Sequence, residues 1–167
     1  MLTQHDIVLA AGLRLPQARA GGAFKREDAA HMGAVLTREL LARTGLAPDA
    51  FDEVLAGCVG QPHDQANLAR VIALRAGLPE ATPAYTVARN CASGMEAVTS
   101  AVTQIMAGRG SSFLCLGVET MSAYPLLFNQ KATDFFGRLA FSRSLGAKLG
   151  AIASWRPSML APRIALL

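Results

Sequence analysis

Of the three cysteines, Cys58, Cys91 and Cys115, Cys91 sits in the context best suited to chemistry. It stands in the run Thr86-Val87-Ala88-Arg89-Asn90-Cys91-Ala92-Ser93-Gly94-Met95-Glu96. A short β-type stretch, Ala84 to Val87, leads into it, and a long helical pattern, Met95 to Ala107, leads away. A thiol at or just before a helix amino terminus meets unpaired N–H groups and the positive end of the helix dipole. Both favour the thiolate, which is the nucleophile. Gly94 lets another group approach the backbone closely. On the helix, Met95, Val98, Val102 and Ile105 share a stripe, alanines cover much of the rest, and Glu96 is the only charge. A helix apolar nearly all round is a buried one. Cys91 is therefore expected at the inner end of a central helix, not on a surface loop. The competing reading is that a free cysteine is simply a small apolar residue. That reading suits Cys58, at a strand end, and Cys115, inside a strand. His63 also lies near a strand end, either as a base toward Cys91 or as a solvated loop residue; His5 and His31 have no supporting context.

The elements that must position Cys91 alternate in type. Asp6 to Ala11 reads as a first strand buried on both faces. Asp28 is an N-cap candidate for a helix to about Arg43, with Met32, Leu36 and Leu40 on one face and Gly45 as its stop. Glu53 to Val59 is a second strand, and Asn67 to Ala76 a short helix closed by Gly77 and Pro79. Ala84 to Val87 and Ser111 to Val118 are two further strands. Such alternation implies an α/β fold with parallel pairing through right-handed crossovers. After Tyr124-Pro125 the pattern weakens. Asp134 to Ala153 reads as helical, but Arg138, Arg143 and Lys148 fall on three different sides, so no clean membrane-facing stripe results. Trp155-Arg156-Pro157 ends it, and the sequence finishes on an apolar Ala165-Leu166-Leu167.

At 167 residues the chain can bury a sizeable core. It is 51% hydrophobic and only 6% aromatic, so that core is built from Ala, Val and Leu. Three unevenly spaced cysteines form neither a disulfide framework nor a metal set, which points to free thiols in a reducing, cytoplasmic compartment. The first residues do not resemble a signal peptide, and no apolar run is long enough to span a bilayer. The net charge of +4 belongs to the tail, where Lys131, Arg138, Arg143, Lys148, Arg156 and Arg163 face Asp134 alone. That tail is either a solvated surface or attracts an anionic partner, such as CoA phosphates or a membrane surface. Nucleic acid is the least expected of these partners, because no recognition motif or aromatic interleaving accompanies the charge.

The Cys91 segment resembles the nucleophile region of the thiolases. Asp52 to Gly57 is similar to the family's second strand, and Asn67-Leu68-Ala69-Arg70 with Leu74 to Pro79 to its next helix and exit. Gly117-Val118-Glu119-Thr120-Met121-Ser122 resembles the family's Gly-Met-Glu-Ser-Met-Ser stretch. The resemblance is firm over about residues 6–125. Over 126–167 it is looser, and closest to the loop domain of the trifunctional-complex β-subunit type. It implies the N-terminal half of a layered αβαβα fold, with a mainly parallel mixed sheet and a buried central helix after Cys91. Residues 1–125 would form the domain core, and 126–167 the start of a basic loop domain.

The resemblance also implies acyl transfer. Cys91 would be the nucleophile that carries the acyl thioester, and its backbone N–H one oxyanion donor. The substrates would be acyl-CoA and CoA, with no cofactor or metal, in thiolysis of a 3-ketoacyl-CoA or condensation of acetyl-CoA, and hence fatty acid metabolism. A homodimer, or a complementary C-terminal half, is the implied partner. The family's Gly-His-Pro histidine, Asn-Glu-Ala-Phe asparagine and Cys-x-Gly cysteine are missing from residues 1–167. A non-catalytic remnant or association module is therefore the alternative. A β-ketoacyl synthase-like condensing enzyme ranks lower, since the Asn67 to Pro79 and Glu119 to Ser122 stretches resemble thiolases better.

Overall fold

The computed structural model describes residues 6–124 and 126–164. Expectations for Met1 to His5, Pro125 and the Ala165 to Leu167 ending lie outside them. The chain divides into two compact units, Met1–Ala123 and Tyr124–Leu167.

The first unit is a three-stranded parallel sheet with helices on both faces. Its elements are α1 (Ala29–Thr44), β1 (Glu53–Gly57), α2 (Leu68–Ala76), β2 (Ala84–Val87), α3 (Ser93–Met106) and β3 (Phe113–Gly117). The strand order is β2-β1-β3, and both pairings of β1 are parallel. Side chains on a strand alternate between faces, and here the alternation divides the core in two. Val54 and Ala56 of β1, with Leu114 and Leu116 of β3, pack with Ala29, Ala34, Leu68 and Ile72 of α1 and α2. Leu55, with Tyr85, Val87, Phe113 and Cys115, packs against Ala97 and Ala101 of α3.

Local chemistry sets the helix ends. The Asp28 carboxylate accepts the Ala30 N–H at 2.9 Å, and Gly45 ends α1 in the left-handed region at φ 69°. The buried face of α1 is its small residues, Ala29, Ala30, Gly33, Ala34 and Thr37. Met32, Leu36 and Leu40 lie only half-buried beside it, because α1 and α2 approach closely enough that small side chains line the contact. The Asn67 side chain accepts the Arg70 N–H at 3.2 Å to open α2, and Gly77 closes it at φ 89°.

Two expectations fail. Ile7 to Ala11 is in no strand, and Val8 and Leu9 are 77% and 82% exposed. A strand needs a ladder partner for its N–H and C=O groups, and among the described residues none lies beside this run. The second concerns α3. It buries Ser93, Ala97 and Ala101 on the sheet, while Met95 and Met106 are 65% and 51% exposed. It is a helix with one packed face, not a central buried one, since the described residues supply one sheet to cover it and no second layer.

The second unit pairs β4 (Leu126–Phe128) antiparallel with β5 (Pro162–Ile164) and carries α4 (Gln130–Phe141) and α5 (Leu145–Ala153). Ala132, Phe135 and Met159 form its small core. No helix of the described residues is long and apolar enough to cross a membrane.

Asp28 ties three segments of the first unit together. Besides capping α1, it accepts from Gln65 Nε2 at 2.8 Å and pairs with Arg75 of α2. Partial burial pushes its carboxyl upward, but the Arg75, Gln65 and Ala30 hydrogen bonds outweigh that and hold it below its ordinary value. A carboxyl depressed by folding stabilises at pH values above its unfolded pKa, and that stability is lost as pH falls through its folded value. Asp28→Ala should cost about 1–2 kcal/mol at neutral pH in chemical denaturation. The gap between wild type and variant should narrow as the solution is acidified below about pH 4.

Candidate active site

Cys91 lies at the carboxyl edge of the sheet, in the turn that joins β2 to α3. Ligands bind in the crevice outside the carboxyl ends of the strands in open α/β sheets. The turn is tight. Asn90 takes φ 48°, a left-handed conformation that Asn tolerates better than most residues. The Ala92 N–H donates to the Arg89 carbonyl at 3.0 Å and the Ser93 N–H to the Asn90 carbonyl at 3.1 Å. The Ser93 hydroxyl works in both directions. It accepts the Arg89 N–H at 2.8 Å and donates to the Asn90 carbonyl at 2.7 Å. Ser93 is buried, while Arg89 and Asn90 are exposed, so the clasp is partly shielded from competing water. Outside it, the Arg89 guanidinium reaches the Glu96 carboxylate at 2.5 Å. Glu96 is in the first turn of α3, where a negative charge also suits the helix dipole.

The helix start rests on glycine. Gly57 and Gly117 are register partners at the ends of β1 and β3. A Cβ on Gly57 would stand 2.2 Å from the Ser93 carbonyl oxygen and 2.6 Å from the Gly94 nitrogen. A Cβ on Gly117 would stand 3.1 Å from the Gly94 Cα. The first turn of α3 therefore sits directly on the backbone of two strands, at a distance no side chain at Gly57 would permit. No side chain caps α3, and Cys91 stands exposed just ahead of it. The expected inner, buried placement of Cys91 is thus corrected: the thiol faces outward.

The other two thiols are placed differently. Cys58 is buried, with its Sγ 3.9 Å from Glu119 Oε1. Burial, followed by the nearby Glu119 charge, pushes its pKa up to about 12. Cys115 packs under α3, 3.5 Å from the Ala97 carbonyl, and burial pushes it to about 11. Both are thiols at neutral pH. Glu119 has a wider role than the sequence alone revealed. Its carboxylate accepts the Val59 N–H at 2.9 Å and the Gly60 N–H at 3.2 Å, so the exit of β3 holds the exit of β1.

His63 is exposed on an open cleft of about 320 Å3 bordered by Asp28, Gln65, Arg75 and Thr120, whose lining does not include Cys91. His31 is exposed on α1. Among the described residues no group of His, Cys, Asp and Glu could hold a metal ion. Ser93 and Gly57 escaped sequence reasoning. The signal available for them was a serine two residues after the cysteine and a glycine closing the preceding strand.

Native and unfolded thiol labelling should separate the three cysteines. At neutral pH iodoacetamide should alkylate Cys91 in the folded chain, with peptide mapping as the readout. Cys58 and Cys115 should react only after denaturation, or as pH climbs toward their raised values.

The profile described as "Thiolase, N-terminal domain" matches residues 7–144. A "Probable acetyl-CoA acyltransferase" of Staphylococcus aureus (strain COL) is 40% identical over 129 residues, covering 77% of this chain and 33% of that protein. The protein of the same name from the strain bovine RF122 / ET3-1 is 39% identical over the same length. The crystal structure of the Bacillus anthracis acetyl-CoA acetyltransferase superposes with a TM-score of 0.64 at 38% identity, covering 67% of this chain and 28% of that one. The chain spans about a third of the length of the curated relatives it matches.

Proposed function

The chain belongs to the thiolase family, and on that premise we propose that it is the nucleophile-bearing part of an acyltransferase acting on CoA thioesters. The observation that carries the reading is the exposed Cys91 thiol on a clasped turn, just ahead of a helix seated on glycine. Its thiolate adds to the C3 carbonyl of a 3-ketoacyl-CoA. The C2–C3 bond breaks, the acyl group stays on Sγ as a thioester, and acetyl-CoA leaves as an enolate that takes up a proton. A CoA thiolate then attacks the thioester, giving a shortened acyl-CoA and regenerating Cys91. The same intermediate serves the reverse condensation. Negative charge grows on the carbonyl oxygen, and the Cys91 N–H is one donor to it. No cofactor beyond the CoA thioester enters these steps.

Proton handling must come from elsewhere. The histidine and second cysteine that the family resemblance implies have no counterpart motif in residues 1–167, and His63 belongs to another cleft. Each missing acid–base group is worth about two to four orders of magnitude. The working unit is therefore this domain joined to a complementary half, in a homo-oligomer, in the reducing cytoplasm where free thiols persist.

The test is thiolysis of acetoacetyl-CoA by this domain complemented with the C-terminal half of a relative. Cys91→Ala should lower kcat by at least about three orders of magnitude, and Cys115→Ala should leave it within a few-fold. Unchanged thiolysis in Cys91→Ala would refute the proposal. A complemented wild type that assembles but turns nothing over would favour the association-module reading.

A further inference from the structure

Every peptide group between Ala88 and Cys91 is held. The one joining Ala88 to Arg89 gives its N–H to the Ser93 hydroxyl at 2.8 Å. The one joining Arg89 to Asn90 offers its carbonyl to the Ala92 N–H at 3.0 Å. The one joining Asn90 to Cys91 is held twice by a single residue. Its carbonyl accepts the Ser93 hydroxyl at 2.7 Å and the Ser93 N–H at 3.1 Å. The hydroxyl proton has one place to go, because an N–H can only donate and a carbonyl can only accept. A serine at a helix start usually caps the helix by accepting N–H groups ahead of it. This one reaches back into the turn, and no side chain caps α3.

The far end of the last peptide group is the Cys91 N–H. A trans peptide is planar, with its C=O and N–H on opposite sides, and no described peptide bond is cis. Drawing the Asn90 carbonyl toward Ser93 therefore turns the Cys91 N–H away from Ser93. None of the turn's hydrogen bonds uses that N–H. Asn90, at φ 48°, holds a conformation that needs support from its surroundings, so the turn has other shapes open to it once the clasp is cut. Ser93 cannot follow such a change. It is buried, and its carbonyl group lies against the Gly57 backbone. The sheet fixes the serine, and the serine fixes the peptide.

We infer that Ser93 is a positioning residue whose hydroxyl holds the peptide between Asn90 and Cys91 so that the Cys91 N–H faces the acyl oxygen. The inference deepens the acyl-transfer proposal and rests on it. In that reaction negative charge grows on the carbonyl oxygen, and a donor fixed in advance stabilises it better than one that must first turn. Ser93 acts through this peptide alone.

Two reactions of the same thiol separate positioning from general support. In acylation by p-nitrophenyl acetate the thiol proton passes to buffer, the thiolate adds to the ester carbonyl to give an oxyanion, and p-nitrophenolate leaves. Alkylation by iodoacetamide expels iodide and forms no oxyanion. In the whole chain, Ser93→Ala should slow acylation of Cys91 about tenfold, less than deleting a donor outright, and keep alkylation within about threefold. Release of p-nitrophenolate and peptide mapping give the rates. In the complemented assembly, kcat for acetoacetyl-CoA should fall about tenfold with KM within about twofold. Cys58 and Cys115 should stay protected, which shows that the variant is folded. Equal acylation of wild type and Ser93→Ala would overturn the inference and leave the acyl-transfer reading standing. Acylation and alkylation that fall together, or loss of protection at Cys58 and Cys115, would make Ser93 a support of the fold and overturn it too. A wild type that takes no acyl group at Cys91 from either donor would overturn both.

Discussion

The contact on which the rest of the structure depends is backbone against backbone. The first turn of α3 lies on Gly57 and Gly117, side by side at the ends of β1 and β3. A close-packed interior fixes distances to within a methyl group, so this contact sets the height of α3 above the sheet. It also sets where β2 must turn to reach the helix. The turn is short, which forces Asn90 into the left-handed region, and the Ser93 hydroxyl ties both sides of it. Cys91 is at the apex because every neighbour is pinned. Ala97 and Ala101 then continue the same contact along Leu55, where small side chains keep the helix close.

The three cysteines show how placement alone assigns chemistry to one thiol type. Cys58 and Cys115 are packed among apolar groups, and Cys58 also faces a carboxylate; both effects oppose a thiolate. Cys91 is exposed at the carboxyl end of the sheet, the end where ligands bind in open α/β folds. Glu119 supports this edge from the other side by holding Val59 and Gly60. The outer face of α3 is open, with Met95 exposed near this edge and Met106 exposed at the far end of the helix.

Much of the fold was legible because its signals are local. Asp28 and Asn67 cap helices through their own side chains, Gly45 and Gly77 end them at positive φ, and β2 begins and ends where its β-type run does. What was not legible depends on partners distant in sequence or absent from the described residues. Ile7 to Ala11 has the composition of a buried strand but no ladder beside it. The apolar surface of α3 says that it can be covered, not what covers it. Asp134 to Ala153 carries no glycine or proline at Ser142 to Ser144, so its break, made by serine capping, left little trace in the hydrophobic pattern. The site was half legible: Cys91 stood out by its setting, while Ser93 and Gly57 matter only through contacts made in space.

The most direct measurement of this account is amide hydrogen exchange on Gly57→Ala beside wild type. If the glycine contact seats the helix, the amides of Glu96 and Ala97 should lose protection while those of α1 and α2 change little, and the rate of Cys91 alkylation should shift with them. Unchanged exchange in α3 with an unchanged Cys91 rate would contradict the account, because a Cβ would then have found room where the backbone of Ser93 is said to lie.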